Sequence, residues 1–164
     1  MKIIKYDIKA MDMENAGSVS SKIKKSLTKM GFDRSIIRRV AIASYEAEIN
    51  VVIHSYGGYC EYLVDDDEIE IKFVDTGPGI PDVKQAMKAG WSTASKRDNE
   101  AGFGAGMGFT NMLNSADKVE VITSPAGTTV ALLFYLVWWW NYGNKRWKLG
   151  KLWKIKSIWF KDYT

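Results

Sequence analysis

Glu68-Ile69-Glu70-Ile71-Lys72-Phe73-Val74 runs directly into Asp75-Thr76-Gly77-Pro78-Gly79-Ile80. The first seven residues alternate charged with apolar side chains, the period of a half-buried strand. The strand ends on a carboxylate, and two glycines follow that admit positive φ or a close approach of backbone. Pro78 fixes its own φ and biases Gly77 toward extended geometry. Strand-Asp-Gly-Pro-Gly is also an ordinary turn, so its meaning depends on what flanks it.

Upstream, Tyr59 to Val64 forms a second strand, joined to the first through Asp65-Asp66-Asp67, a solvated hairpin turn. Before it, Asp33 is a fitting N-cap for a helix reaching about His54, with Ile36, Ile37, Val40, Ala43, Ala47, Val51 and Val52 as its apolar set. Ile3 to Ile8 reads as a strand. Met11 to Met30 reads as an amphipathic helix through Val19, Ile23, Leu27 and Met30, with Gly31 where a C-cap glycine belongs. Downstream, Asp82 to Ala89 has helical spacing and stops at Gly90. Trp91 to Ala101 is a polar loop without period, and Gly102-Phe103-Gly104-Ala105-Gly106-Met107-Gly108 opens a short helix from Phe109 to Leu113. Lys118 to Thr123 and Thr128 to Leu136 close the pattern as strands around Pro125-Ala126-Gly127. The expected class is α+β: a two-layer α/β sandwich, helices on one face of a mixed, mostly antiparallel sheet.

Composition narrows the function. The 164 residues are enough for one domain with a real core. One cysteine, Cys60, precludes an internal disulfide, and with His54 as the single histidine a thiolate–imidazole zinc site is disfavoured. No apolar run has the length of a secretory signal or a membrane span, so a cytoplasmic protein is expected. The net charge of +4 is unevenly spread: residues 137–164 carry +6 and the rest −2, so the basic balance says nothing about nucleic acid at the main domain.

Glu46 and Asn50 lie at i, i+4 on the second helix, one turn apart on one face. Asn50 is unfavourable in mid-helix by propensity, which argues for a reason to be there. Glu48, about 200° around the helix from Glu46, reads as a surface residue. His54 extends the Glu46/Asn50 face and has either a role near a ligand or a structural one at the helix end. A glycine-rich loop feeding a helix N-terminus offers N–H groups and a positive dipole end to phosphate oxygens. There is no Gly-Lys-Ser/Thr, and the spacing of Gly102, Gly104, Gly106 and Gly108 does not fit the dinucleotide fingerprint.

Taken in order, Glu46-Ala47-Glu48-Ile49-Asn50-Val51-Val52-Ile53-His54, Asp75-Thr76-Gly77-Pro78-Gly79-Ile80, Gly104-Ala105-Gly106-Met107-Gly108-Phe109 and Gly127-Thr128-Thr129-Val130 resemble the GHKL ATPases, the histidine-kinase-like superfamily with the Bergerat ATP-binding fold. Within it the sequence is most similar to the anti-sigma-factor serine/threonine-protein kinases, over residues 1–136. The resemblance implies that ATP and Mg²⁺ bind, Asn50 holding the metal. It implies that Asp75 accepts a hydrogen bond from the adenine amino group, with Gly77 and Gly79 in that turn and the base lying against the backbone at Gly79. Thr129 would support adenine recognition through a water. Gly104, Gly106, Met107 and Gly108 would wrap the phosphates, and Lys96 and Arg97 in the lid-like loop would add charge. Glu46 would be the general base, taking a proton from a protein serine or from water. Implied partners are a sigma factor, an anti-anti-sigma substrate protein and a second copy of the chain. A nucleotide-dependent interaction module or ATPase without kinase activity is the alternative, separated by phosphate transfer to an added antagonist.

Trp91 beside the loop serves either packing or nucleotide stacking. Six of the seven tryptophans fall in the Lys/Trp-rich residues 137–164, where the resemblance ends. That tail reads as an interfacial helix, as a partner-binding segment anchored by tryptophans, or as translation past the natural end. A stop codon placed after Leu136 that abolishes function would sink the third reading.

Overall fold

A computed structural model of the chain describes residues 3–91 and 106–136. In chain order the elements are β1 (Ile4–Ile8), α1 (Ser18–Lys29), α2 (Arg34–His54), β2 (Gly58–Val64), β3 (Glu68–Asp75), α3 (Val83–Ala86), α4 (Gly108–Ser115), β4 (Lys118–Ser124) and β5 (Gly127–Tyr135). The strands form one five-stranded sheet in the order β1-β2-β3-β5-β4.

All four strand pairings are antiparallel, where the sequence suggested a mixed sheet. Connectivity explains two of them. β2–β3 and β4–β5 are hairpins, which pair antiparallel, while β1 reaches its neighbour β2 through two helices. The alternation read in β3 is realised: Ile69, Ile71 and Phe73 are buried, and Glu68, Glu70 and Lys72 are half-buried. Val130, Leu132 and Phe134 of β5 and Cys60 and Tyr62 of β2 join them in one core with Ile23 and Leu27 of α1 and Val40, Ala47 and Val51 of α2. Each large apolar side chain fully buried there contributes about 1.5–3 kcal/mol relative to exposure.

α2 is the spine of the helical layer and packs against both α1 and α4. Asp33 opens it with extended backbone, its carboxylate accepting the Ser35 N–H at 2.8 Å. Buried Ile36, Val40, Ala43, Ala47 and Val51 recur every three or four residues along its inner face.

α1 is shorter than its periodicity suggested, starting at Ser18 rather than near Met11. Gly17 before it has φ +88°, which ends helical geometry, and the Met11 N–H donates to the Val52 carbonyl at 2.8 Å instead of to its own helix. At the other end the Phe32 N–H reaches the Leu27 carbonyl (3.2 Å) and the Gly31 N–H the Thr28 carbonyl (3.1 Å), a Schellman closure. α3 likewise stops at Ala86, three residues before the expected end.

Candidate functional site

A cleft of about 540 Å³ opens between α2, the β3 turn, α4 and the start of β5. Its size is that of a small-ligand site. Glu46, Asn50 and His54 line one wall at successive turns of α2, as the i, i+4 spacing requires. Phe73, Val130 and Ala86 supply apolar lining, and Asp75, Pro78, Gly79 and Ile80 come from the turn after β3.

Asp75 is the last residue of β3, paired in register with Gly58. Its Oδ1 accepts the Thr128 N–H at 3.0 Å. Burial raises the carboxyl above its ordinary value of 3.8, and the Thr128 hydrogen bond opposes that rise. The turn itself is held by backbone: the Tyr56 N–H donates to the Thr76 carbonyl (2.7 Å) and the Thr76 N–H to the Gly57 carbonyl (3.0 Å). The Ile80 N–H donates to Thr123 Oγ1 at 2.8 Å, and that hydroxyl meets Thr128 Oγ1 at 3.0 Å. Gly79 has φ +71°, and a Cβ there would come 3.0 Å from Thr123 Oγ1 and closer still to the Ser124 backbone. Glycine is therefore demanded twice at this position, by torsion and by packing onto the β4–β5 turn.

Gly106, Met107 and Gly108 line the cleft from the opposite direction. The Gly90 N–H donates to the Gly106 carbonyl at 2.8 Å, which ties the start of α4 to the segment after α3, and Trp91 beside it lines the cleft. Met107, the N-cap of α4, supplies no side-chain cap, so the first N–H groups of the helix are left for an anionic ligand or water. Gly108 lies over the α2 wall: a Cβ there would be 3.4 Å from Glu46 Oε2 and 3.7 Å from Asn50 Oδ1. A Cβ there would sit in ordinary van der Waals contact with both.

Three readings need correction or completion. Thr129 is not part of the lining; its neighbours Thr128 and Val130 are, because alternation along β5 turns Thr129 to the other face of the sheet. Gly77 also stays off the lining and is buried, its Cα facing Ser55. Glu48 is not a surface residue but 1% exposed. Its Oε1 accepts the N–H groups of Gly17 and Val19 (3.0 Å each) and its Oε2 that of Ser20 (2.8 Å). A carboxylate from α2 thus caps the N-terminus of α1, replacing the side-chain cap that Gly17 cannot provide. Lys96, Arg97 and Gly104 lie outside the described residues.

Sequence reasoning also missed Asn111. Its Nδ2 donates to Glu46 Oε1 at 2.6 Å across 65 positions of chain. The only local signal was an amide in a short helix directly after the glycine run.

The donors fit a hard cation. Glu46 and Asn50 present oxygens side by side under Gly108, while among the described residues no cluster of three or more His, Cys, Asp or Glu could hold a metal. An ion here would complete its shell with ligand phosphates and water, the habit of Mg²⁺.

The sequence pattern of the Histidine kinase-like ATPase domain matches residues 10–134. The chain is 38% identical over 92 residues to the anti-sigma F factor of Oceanobacillus iheyensis, covering 52% of this chain and 60% of that protein. To that of Halalkalibacterium halodurans it is 36% identical over 98 residues, covering 56% and 64%. To that of Caldanaerobacter subterraneus it is 33% identical over 106 residues, covering 61% and 71%. The match thus spans less than two thirds of the first two relatives. A crystal structure of the RsbU and RsbW domains of Rv1364c from Mycobacterium tuberculosis superimposes with a TM-score of 0.56 at 14% identity, over 82% of this chain and 32% of that one. That likeness shows the fold.

Proposed function

Since this chain belongs to the histidine kinase-like ATPase domain family, we propose that residues 1–136 form a regulatory protein kinase of the anti-sigma type that binds Mg-ATP in the cleft. Family membership implies ATP as the nucleotide. The observation that carries the reading is the placing of a hydrogen-bonded, partly buried Asp75 and the Glu46/Asn50 pair on the walls of one cleft.

In this reading Asp75 Oδ2 would accept a hydrogen bond from the adenine amino group while Oδ1 stays on Thr128. The N–H groups at the start of α4 receive phosphate oxygens, and Asn50 Oδ1 holds the cation, which supplies charge neutralisation when bound. Glu46 takes the proton of a serine or threonine hydroxyl on a protein substrate. As it leaves, the hydroxyl oxygen bonds the γ-phosphorus, the β–γ bridging bond breaks, and ADP departs with the bond's electron pair.

The relatives named anti-sigma F factors support a sigma factor and an anti-anti-sigma substrate as partners; a homodimer is part of the proposal as the working form. Among the described residues no helix is long and apolar enough to cross a membrane, in keeping with a cytoplasmic site of action.

The test is calorimetry of ATP with and without Mg²⁺ on the wild type and Asp75→Asn. Mg²⁺-dependent binding that Asp75→Asn weakens at least about tenfold, the scale of one lost charged hydrogen bond, supports the reading; absence of binding by the wild type overturns it. Binding without phosphate transfer to added antagonist proteins would favour an interaction module.

A further inference from the structure

Glu46 reaches the cleft on a long side chain with several rotatable bonds, yet a proton acceptor works only when held close to its target geometry. The hydrogen bond from Asn111 Nδ2 to Glu46 Oε1, 2.6 Å, supplies that restraint. Because an ionised carboxylate only accepts, the NH₂ end of the amide must face it, and such charge-assisted bonds are about twice as strong as neutral ones. The two carboxylate oxygens are thereby differentiated. Oε1 is taken by Asn111, while Oε2 lies toward Gly108, where a Cβ would be 3.4 Å from it and 3.7 Å from Asn50 Oδ1.

Asn111 is poorly suited to its position on other grounds. It sits inside α4, where an amide side chain competes with the helix backbone. It lines the cleft with Gly108, three residues earlier on the same helical face. The apolar work of α4 is done by Met112, fully buried, and by Phe109, which packs against the core. The amide therefore spends helix propensity on one contact, and that contact is Glu46.

We infer that Asn111 is a positioning residue for Glu46: it fixes Oε1 so that Oε2 faces the reacting hydroxyl. The role rests on Glu46 being the base, so the test has one arm that needs turnover and one that does not.

In the first arm, Mg-ATP turnover by the full chain in the presence of an added anti-anti-sigma antagonist protein is followed as ADP release. Asn111→Leu, which keeps bulk and removes the donor, is expected to lower kcat about tenfold to a hundredfold, the cost of a misplaced catalytic group, with KM for ATP changed less than about twofold. Asn111→Asp, which sets a like charge against Glu46, is expected to lower it at least as far. In a Glu46→Gln background, Asn111→Leu should cause no further loss, because two residues acting as one unit are not additive. Equal losses in both backgrounds, or a loss carried by KM alone, would overturn the inference.

The second arm reads the bond directly. The Asn111 side-chain NH₂ resonance, assigned by its absence from Asn111→Leu, should move in Glu46→Gln, where its charged acceptor is replaced by a neutral one. A resonance indifferent to Glu46 would overturn the inference even in an active enzyme. A wild type that turns over no ATP but shows the coupled resonance would leave the hydrogen bond standing and remove the kinase reading instead.

Discussion

Two glutamates stand two residues apart on α2, and they belong to different regions of the molecule. Glu46 faces α4 and the cleft, half-buried, with one oxygen on Asn111 and the other beside Gly108. Glu48 faces α1, 1% exposed, with both oxygens on backbone N–H groups of Gly17, Val19 and Ser20. Burying a carboxylate is costly unless its lone pairs are satisfied, and the positive end of a helix is well suited to satisfy them. The residue type is the same on both sides. What packs against each face decides that one carboxylate is available for chemistry and the other is a fastening between helices.

The contrast can be broken most directly at Glu46. Glu46→Gln keeps an acceptor for Asn111, so the fold should hold while phosphate transfer falls by about 10²–10⁴-fold, the range of a lost general base; phosphotransfer assays beside thermal melts check this. Glu48→Ala should do the reverse. It strands the first donors of α1 in a water-poor interface, so urea denaturation is expected to show a loss of about 3–5 kcal/mol. If Glu48→Ala abolished turnover without moving the urea midpoint, the division between the two faces would be wrong.

Asp75 sharpens the comparison, because it combines both conditions: partly buried, with one oxygen bonded to Thr128. Burial raises its carboxyl above the ordinary 3.8, so the folded state binds that proton more tightly than the unfolded chain. The stability this gives is complete below pH 3.8 and is lost as pH rises through the folded value. Asp75→Asn retains Oδ1 for Thr128 and removes the charge. The ligand-free variant should therefore match or exceed wild-type stability at neutral pH, and the gap should close as pH falls toward 3.8. Melting temperatures across that range give the answer.

The smallest effect is expected at the far end of α4. Arg39 of α2 donates to the Ser115 carbonyl (2.7 Å) and pairs with Asp117 (2.6 Å), anchoring that end of the helix to α2. A double-mutant cycle of Arg39→Ala and Asp117→Ala should give a coupling of about 0.5–1 kcal/mol, typical of a part-exposed pair.

Some of this was legible in the chain and some was not. The Glu46/Asn50 pair, the β2–β3 and β4–β5 hairpins and the Asp33 cap were readable because each depends on neighbours within a few residues. Asn111 was not, since its meaning lies 65 positions away on α2. Glu48 was misread because periodicity tells which residues share a face, not which element covers that face. Thr129 was carried over from the resemblance, and which face of β5 it occupies could not be told until the strand's register was known. Here Val74 pairs with Thr129, and Thr128 donates its N–H to Asp75.

Sequence alone thus determined the α+β class, the order of the strands and helices, the nucleotide-binding resemblance and, on the cleft walls, Glu46, Asn50, Asp75, Gly79, Gly106, Met107 and Gly108, because short-range period and turn chemistry are local. Only the tertiary structure decided that the described sheet is wholly antiparallel, that Glu48 is buried as the cap of α1, that Thr128 donates its N–H to Asp75, and that Asn111 holds Glu46. Each of these depends on which distant backbone or side chain compensates a buried polar group, and that compensation exists only once the layers have packed.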